Sequence, residues 1–247
     1  MKFTKKYKVL YYDIDVNGAI YPSRLLTYLQ ETANEHTFVL GCDPDAMTEK
    51  YSGGFWLTRF CMSIPRAIRF GDEIEVTTWP TNDSRGFSFN RCFEVKVGGE
   101  VVCEAYSVWA LMNRETMMPV KVKDFDIALD EDEPIKPAAP LHARLPKEIE
   151  LVSGGEYKVG YAAIDYNGHM NNARYPDIVC GFLPPKVLSG KRVEELTISY
   201  LHEAPAGDSI KGFYAADPEE QDVYYVRTER ASDSATNVEV RIKLTEV

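Results

Sequence analysis

The stretch Asp165-Tyr166-Asn167-Gly168-His169-Met170-Asn171-Asn172 sets a carboxylate, an amide and an imidazole at alternate positions. If the backbone here is extended, Asp165, Asn167 and His169 point to one face and can share a pocket. Gly168 gives the chain conformational freedom beside them. Asn171 or Asn172 can cap a helix beginning at Ala173 or Arg174. Free N–H groups at such a helix start, near Asn171 to Ala173, can hold a developing negative charge. The competing reading is an ordinary Asn/Gly turn followed by a helix cap. On these residues alone the turn is the simpler account, and the rest of the chain reverses that preference.

What must position these groups is read from the elements around them. Residues 7–15 read as an entering strand. Leu25, Leu26, Leu29, Ala33 and His36 then recur at helical spacing, with Leu40 one turn on. Pro22 suits the first turn and Gly41 the stop, which gives a helix of roughly five turns. Strand signals follow at 54–58, 73–79, 87–97 and 101–112, with Gly98-Gly99 as a hairpin turn. One helix followed by an antiparallel run is an α+β pattern, with the helix across one sheet face. Residues 129–150 are acidic, Pro-rich and without periodicity, and read as a linker.

Beyond the linker the chain repeats itself. Tyr7-Lys8-Val9, Ile14-Asp15, Asn17-Gly18 and Arg24 recur as Tyr157-Lys158-Val159, Ile164-Asp165, Asn167-Gly168 and Arg174, an offset of 150. Ser63, Gly71-Asp72 and Ile74 recur as Ser199, Gly207-Asp208 and Ile210, an offset of 136. The drop in offset means a shorter helical segment in the second copy. Two copies of one helix-plus-sheet unit are expected, at 1–128 and 151–247 with the linker between. The copies differ where chemistry would sit: Ala19 stands opposite His169, and Ala67 opposite Glu203. A turn explains Asp and Asn in both copies. It does not explain an imidazole and a carboxylate gained by one copy at separate places, so one active centre in the second half is inferred.

Composition narrows the classes. The chain has 247 residues, 45% hydrophobic and 27% charged, an ordinary globular balance. Its net charge of −10 opposes nucleic-acid binding. No apolar run has the length of a membrane helix. Met1 to Tyr7 lacks the apolar core of a signal peptide, and the five dispersed Cys read as reduced thiols, so a cytoplasmic location is expected. No His pair or Cys cluster has metal-ligand spacing and no glycine-rich phosphate loop is present, so neither metal nor cofactor is expected. His36 lies on an apolar helical stripe and reads as core. His202 neighbours Glu203 and should face away from it. Cys180 reads as a buried, inert thiol.

The chain resembles the acyl-acyl-carrier-protein thioesterases of plant and bacterial type. The resemblance rests on Leu29-Gln30-Glu31-Thr32-Ala33 with Asn34 and His36, Trp56 with Thr58-Arg59, Gly71-Asp72, Thr78-Trp79, Arg91, and Ser107-Val108-Trp109 with Met112-Asn113. It continues through Asp165-x-Asn167-x-His169-x-Asn171-Asn172 with Tyr175, then Tyr200-Leu201-His202-Glu203 and Asp208-Ser209. It implies a tandem hotdog fold, each unit a long helix wrapped by an antiparallel sheet. It implies hydrolysis of the thioester between a fatty acyl chain and the phosphopantetheine of a carrier protein. The first unit would house the acyl chain and the second would carry Asp165, Asn167, His169 and Glu203. Many plant relatives have Cys directly after the Glu; here that residue is Ala204, so no cysteine nucleophile is expected there.

On this reading Glu203 draws a proton from water, His169 and Asn167 orient the water or polarise the carbonyl, and Asp165 holds them. Asp165 as base or nucleophile stays open. Candidates for the acyl slot are Leu25, Tyr28, Leu29 and Thr32 on the helix, with Trp56 and Leu57 on the following strand. The acyl carrier protein is the expected partner, coenzyme A thioesters are the alternative substrate, and a homodimer is allowed. An enoyl-thioester hydratase of the same fold is disfavoured, because its His stands five residues after Asp rather than four. A non-catalytic acyl-thioester-binding module is the alternative of another class, against which the gain of His169 and Glu203 speaks.

Overall fold

The computed structural model describes residues 1–146, 148–166 and 168–247. The first unit contains β1 (Phe3–Lys8), α1 (Pro22–Val39), α2 (Pro44–Tyr51), β2 (Gly53–Ser63), β3 (Glu73–Pro80), β4 (Phe89–Val97) and β5 (Glu100–Asn113). The second contains β6 (Val152–Lys158), α3 (Tyr175–Gly181), α4 (Pro185–Leu188), β7 (Lys191–Tyr200), β8 (Ser209–Ala216), β9 (Val223–Arg230) and β10 (Thr236–Glu246). Among the described residues the strands form one ten-stranded antiparallel sheet in the order β1-β3-β4-β5-β2-β7-β10-β9-β8-β6. The fold is the expected α+β double hotdog. The two halves are joined edge to edge by β2 and β7, paired from Arg59↔Ser199 to Ser63↔Glu195.

Helix α1 starts on Pro22 and ends at Leu40, with Gly41 at φ +67° turning the chain away. Its buried face, including Leu25, Leu26, Leu29 and Ala33, packs on the inner sheet face with Phe60, Met62, Ile74, Val76, Phe93 and Val95. In the second unit only the seven residues of α3 occupy this place, as the change of offset implies. The repeat holds bond by bond. Val9 N–H donates to Asp72 O and Val159 N–H to Asp208 O; Ile20 N–H donates to Ile68 O and Met170 N–H to Ala204 O.

One sequence expectation is corrected, and two features go beyond the sequence reading. Residues 7–15 are not one strand: β1 stops at Lys8, and a 3-10 turn at Tyr11–Asp13 follows, because the Asp13 carboxylate accepts the Leu10 N–H and folds the chain back. Helix α2 was not anticipated, although Asp43 and Pro44 signal it; the Asp43 carboxylate accepts the Asp45 and Ala46 N–H groups as an N-cap. The linker stretch 129–150 is packed rather than free over its middle part. Ile135, Ala139 and Leu141 lie on the outer sheet face, packed on Cys61, Trp79, Cys92, Tyr106 and Val108. Trp79 donates to Glu133 O, Ala139 N–H to Ser63 Oγ, and Thr197 Oγ1 to Pro140 O.

Candidate active site

The segment carrying the site is a tight turn, not extended backbone. Asp165 N–H donates to His169 O at 2.9 Å and Gly168 N–H to Asp165 O at 3.0 Å, between the bridged residues Ile164 and Met170. Gly168 sits at φ +82°, where a side chain is strained, so glycine permits this reversal. Asp165 and His169 therefore stand at the two feet of the turn. Asn167, named with them in the sequence, lies outside the described residues.

After the turn the chain is anchored twice. Asn171 N–H donates to Ala163 O and Met170 N–H to Ala204 O. The second bond lays the turn against the segment that leaves β7, and His169 bridges Pro205 across it. The result brings together the two residues that the first unit lacks: His169 Nε2 lies 3.1 Å from Glu203 Oε2. With the carboxylate ionised, a hydrogen bond in this pair requires the proton on Nε2. The side chains are 37% and 42% exposed, so water reaches both.

The Glu203 segment is held by residues behind it. Leu201 and His202 N–H groups both donate to Asn237 O. The Asn237 side chain is fully buried; its Nδ2 donates to Tyr175 Oη and His202 O, and its Oδ1 accepts from Thr228 Oγ1. Arg230 donates to Glu203 O at 3.2 Å. Burial lifts the Tyr175 hydroxyl to about 12, and the nearby Glu203 and Asp165 charges add to that, so Tyr175 stays a neutral hydroxyl. Tyr200 packs edge-on against Tyr175, with ring centres 5.4 Å apart, and donates to Asn172 O. Asn237 escaped sequence reading; a lone amide at the start of the alternating run Thr236 to Arg241 was its one signal.

The helix start differs from expectation. Asn171 caps a 3-10 turn at Asn172–Arg174, and α3 begins only at Tyr175. The Asn171 N–H is taken by Ala163 O and the Ala173 N–H by the Asn171 side chain, so these two are not free to hold an oxyanion. His202 turns its Nδ1 to Thr236 O at 2.7 Å, away from Glu203. His36 is fully buried; Arg91 donates to its Nδ1 at 3.1 Å, and Phe3 stacks on the ring at 5.3 Å. Desolvation pushes the Cys180 thiol up to about 12, far from a reactive thiolate.

The acyl-slot candidates are placed unevenly. Leu25, Leu29 and Leu57 are buried in the main core. Thr32 is buried, with its hydroxyl bonded to Tyr28 O and paired with Tyr7 Oη; Tyr28 packs at the core margin and donates to Asp13. Trp56 precedes Leu57 on β2, so a regular strand sends it to the opposite face, and it joins none of the buried clusters. Trp56 and Leu57 therefore cannot line one slot together. Among the described residues no cluster of His, Cys, Asp and Glu is arranged to hold a metal ion, and no helix is long and apolar enough to cross a membrane.

Comparison with known proteins places the chain in a family. Residues 1–128 match the acyl-ACP thioesterase N-terminal domain and residues 147–246 the acyl-ACP thioesterase C-terminal domain. A chloroplastic acyl-[acyl-carrier-protein] hydrolase of Cuphea viscosissima is 25% identical over 230 residues, covering 87% of this chain and 55% of that protein. A chloroplastic oleoyl-acyl carrier protein thioesterase of Arabidopsis thaliana is 26% identical over 228 residues, covering 85% and 62%. The chain thus spans little more than half the length of these relatives. Among solved structures, an acyl-ACP thioesterase from Bacteroides thetaiotaomicron superposes with a TM-score of 0.83 at 22% identity, covering 99% of this chain and 98% of that one. The 12:0-ACP thioesterase from Umbellularia californica gives 0.79 at 15% identity, covering 100% and 98%. With both domain models matched in order across nearly the whole chain, this protein belongs to the acyl-ACP thioesterase family.

Proposed function

We propose that the protein hydrolyses fatty acyl thioesters of an acyl carrier protein, releasing the fatty acid and the carrier thiol. The observation that carries this is the His169–Glu203 contact, formed in the one half of the repeat that has both residues. A thioester carbonyl is electrophilic and its thiolate leaves readily, so the chain must supply a positioned water, a base and a donor. Glu203 takes the proton through Oε1, the oxygen left over from His169. The hydroxide attacks the carbonyl carbon, the C–S bond breaks, and the proton passes from Glu203 to the departing thiolate. His169 holds the carboxylate in place, and Asn167 serves as a donor to water or carbonyl. Asp165, at the other foot of the turn, fixes its geometry.

The first unit offers the apolar face under α1 as the acyl container. A fatty chain gains roughly 0.8 kcal/mol for each methylene it buries there. Leu29→Trp should shift the preference toward shorter chains, while Trp56→Ala, on the other face, should leave it unchanged. Both are read as relative kcat/KM across chain lengths.

The deciding assay supplies carrier-bound and coenzyme A-bound acyl thioesters of several lengths and follows the free thiol. Carrier-bound substrates should be favoured. Preference for coenzyme A would reassign the substrate, and absence of hydrolysis with tight acyl-thioester binding would make the protein a binding module.

A further inference from the structure

The chain is strongly acidic, yet one concave site on it is cationic. At the junction of the two units a cleft of about 430 Å³ is lined by Thr58, Arg59, His142, Arg144, Arg227 and Glu239, with Ala143, Leu145 and Leu201 as apolar wall. Its floor is the outer face of the β2–β7 seam, where Arg59 pairs with Ser199. Its rim is the end of the strap that crosses that face, after Pro140 is pinned by Thr197.

The charges do not cancel. Glu239 is taken by Arg227, at 2.8 Å. Arg59 and Arg144 make no ion pair among the described residues, and His142 feels both of them: its proton affinity is lowered first by burial, then by the two guanidiniums. Three arginines and one glutamate leave two positive charges around a cleft in a chain of net charge −10. Fold stability gives no reason to converge unpaired guanidiniums. They repel each other, and a dianion or phosphodiester would relieve that repulsion with bidentate hydrogen bonds.

The cleft lies at the end of β7 that leads on to Glu203. Tyr200, at that end of β7, turns its ring to the inner sheet face, where it packs on Tyr175 and donates to Asn172 O beside the site turn. Leu201, in the lining, is two residues from Glu203. A ligand with a phosphate at one end, an apolar middle and a thioester at the other matches this layout.

We infer that the cleft binds the phosphodiester of the phosphopantetheine arm that carries the acyl thioester to His169 and Glu203. This rests on the reading of the protein as acting on carrier-bound thioesters. Arg59 and Arg144 hold the phosphate, and the apolar wall carries the pantoyl portion of the arm.

The test is calorimetric binding of 4′-phosphopantetheine, pantetheine and inorganic phosphate to the wild-type protein, to Arg144→Gln and to the double variant Arg59→Gln/Arg144→Gln. Arg144 is exposed, so its replacement leaves the fold intact. Wild type should bind 4′-phosphopantetheine more tightly than either other probe. The double variant should bind it about tenfold more weakly or worse, with pantetheine unchanged and the single variant intermediate. Equal binding of phosphopantetheine and pantetheine overturns the inference, as does equal binding of inorganic phosphate, which would make the cleft an anion site indifferent to the arm. Weakened binding of the holo-carrier with unchanged binding of the free arm also overturns it, assigning the arginines to the carrier's surface. None of these titrations needs turnover. A protein that binds the arm but hydrolyses no thioester would fail the proposed activity and keep the cleft.

Discussion

The turn at Asp15–Ala19 and the turn at Asp165–His169 are the same piece of backbone used for two purposes. Each closes with an N–H of the Asp bonded to the carbonyl four residues on, and each has glycine at φ +82°. In the first, the Asp15 carboxylate accepts the Asn17 and Ala19 N–H groups. The Asn17 amide reaches into the other unit, donating to Leu188 O and Lys191 O and accepting from Gly190 N–H. In the second, the foot of the turn carries His169, set against Glu203. Where the first turn clamps one half to the other, the second presents the His169–Glu203 pair to solvent. The difference teaches that one backbone turn serves both halves, since the shared bonds run through backbone and the contrast lies in side chains.

The comparison breaks most directly at the pair itself. His169→Ala and Glu203→Ala should each lower kcat at least about a hundredfold, with circular dichroism unchanged. Ala67→Ser, at the matching place in the first unit, should leave kcat alone. Full turnover in either alanine variant would end the assignment of chemistry to the second turn.

A second contrast is acid sensitivity. Only the first unit has a helix long enough to bury His36 against Arg91, and burial and that guanidinium lower its proton affinity to about 4. The unfolded chain protonates this ring near the ordinary 6.5, the native one not until about 4. Native stability is therefore intact above pH 6.5 and declines as pH falls toward 4, by roughly 3 kcal/mol in all. Urea midpoints at pH 7 and pH 4.5 should show this loss in wild type and a smaller one in His36→Gln. Parallel curves would mean that His36 is not buried neutral.

Asn17→Ala should act on stability and not on chemistry. It removes three hydrogen bonds across the junction, each with a net value of about 1 kcal/mol, so a loss of about 2–3 kcal/mol and a Tm several degrees lower are expected. Its kcat should stay near wild type. Asn167→Ala is expected to do the reverse, and a variant pair with equal effects would erase the division between the turns. The smallest effect is expected at Cys180→Ser, where kcat should not move, because burial keeps that thiol protonated and Ala204 occupies the place of the cysteine in many relatives.

The sequence carried the repeat because both offsets follow backbone bonds that glycine, Asp and strand residues must satisfy in each copy. Helix α1, strands β3 to β5 and the asymmetric pair His169 and Glu203 were legible for that reason. The exact form of the site was not. Alternation of Asp165, Asn167 and His169 suggested extended backbone, but hydrogen bonds across Gly168 fold it into a turn. Asn237 and the strap at 129–150 were opaque because their partners are distant in sequence: Tyr175 and His202 for one, Trp79, Ser63 and Thr197 for the other. Trp56 and Leu57 show a plainer limit, since apolar character does not say which sheet face a residue takes.

The seam between β2 and β7 has a consequence for concentration. When two sheets meet edge to edge in a dimer, the joint weakens on dilution, and every residue on one side is duplicated on the other. Here residues 129–150 join the halves covalently, so the seam forms within one molecule at an effective concentration set by the connecting chain. Dilution does not open it. A single substitution also alters one side alone, so one half can gain an imidazole and a carboxylate while the other keeps two alanines.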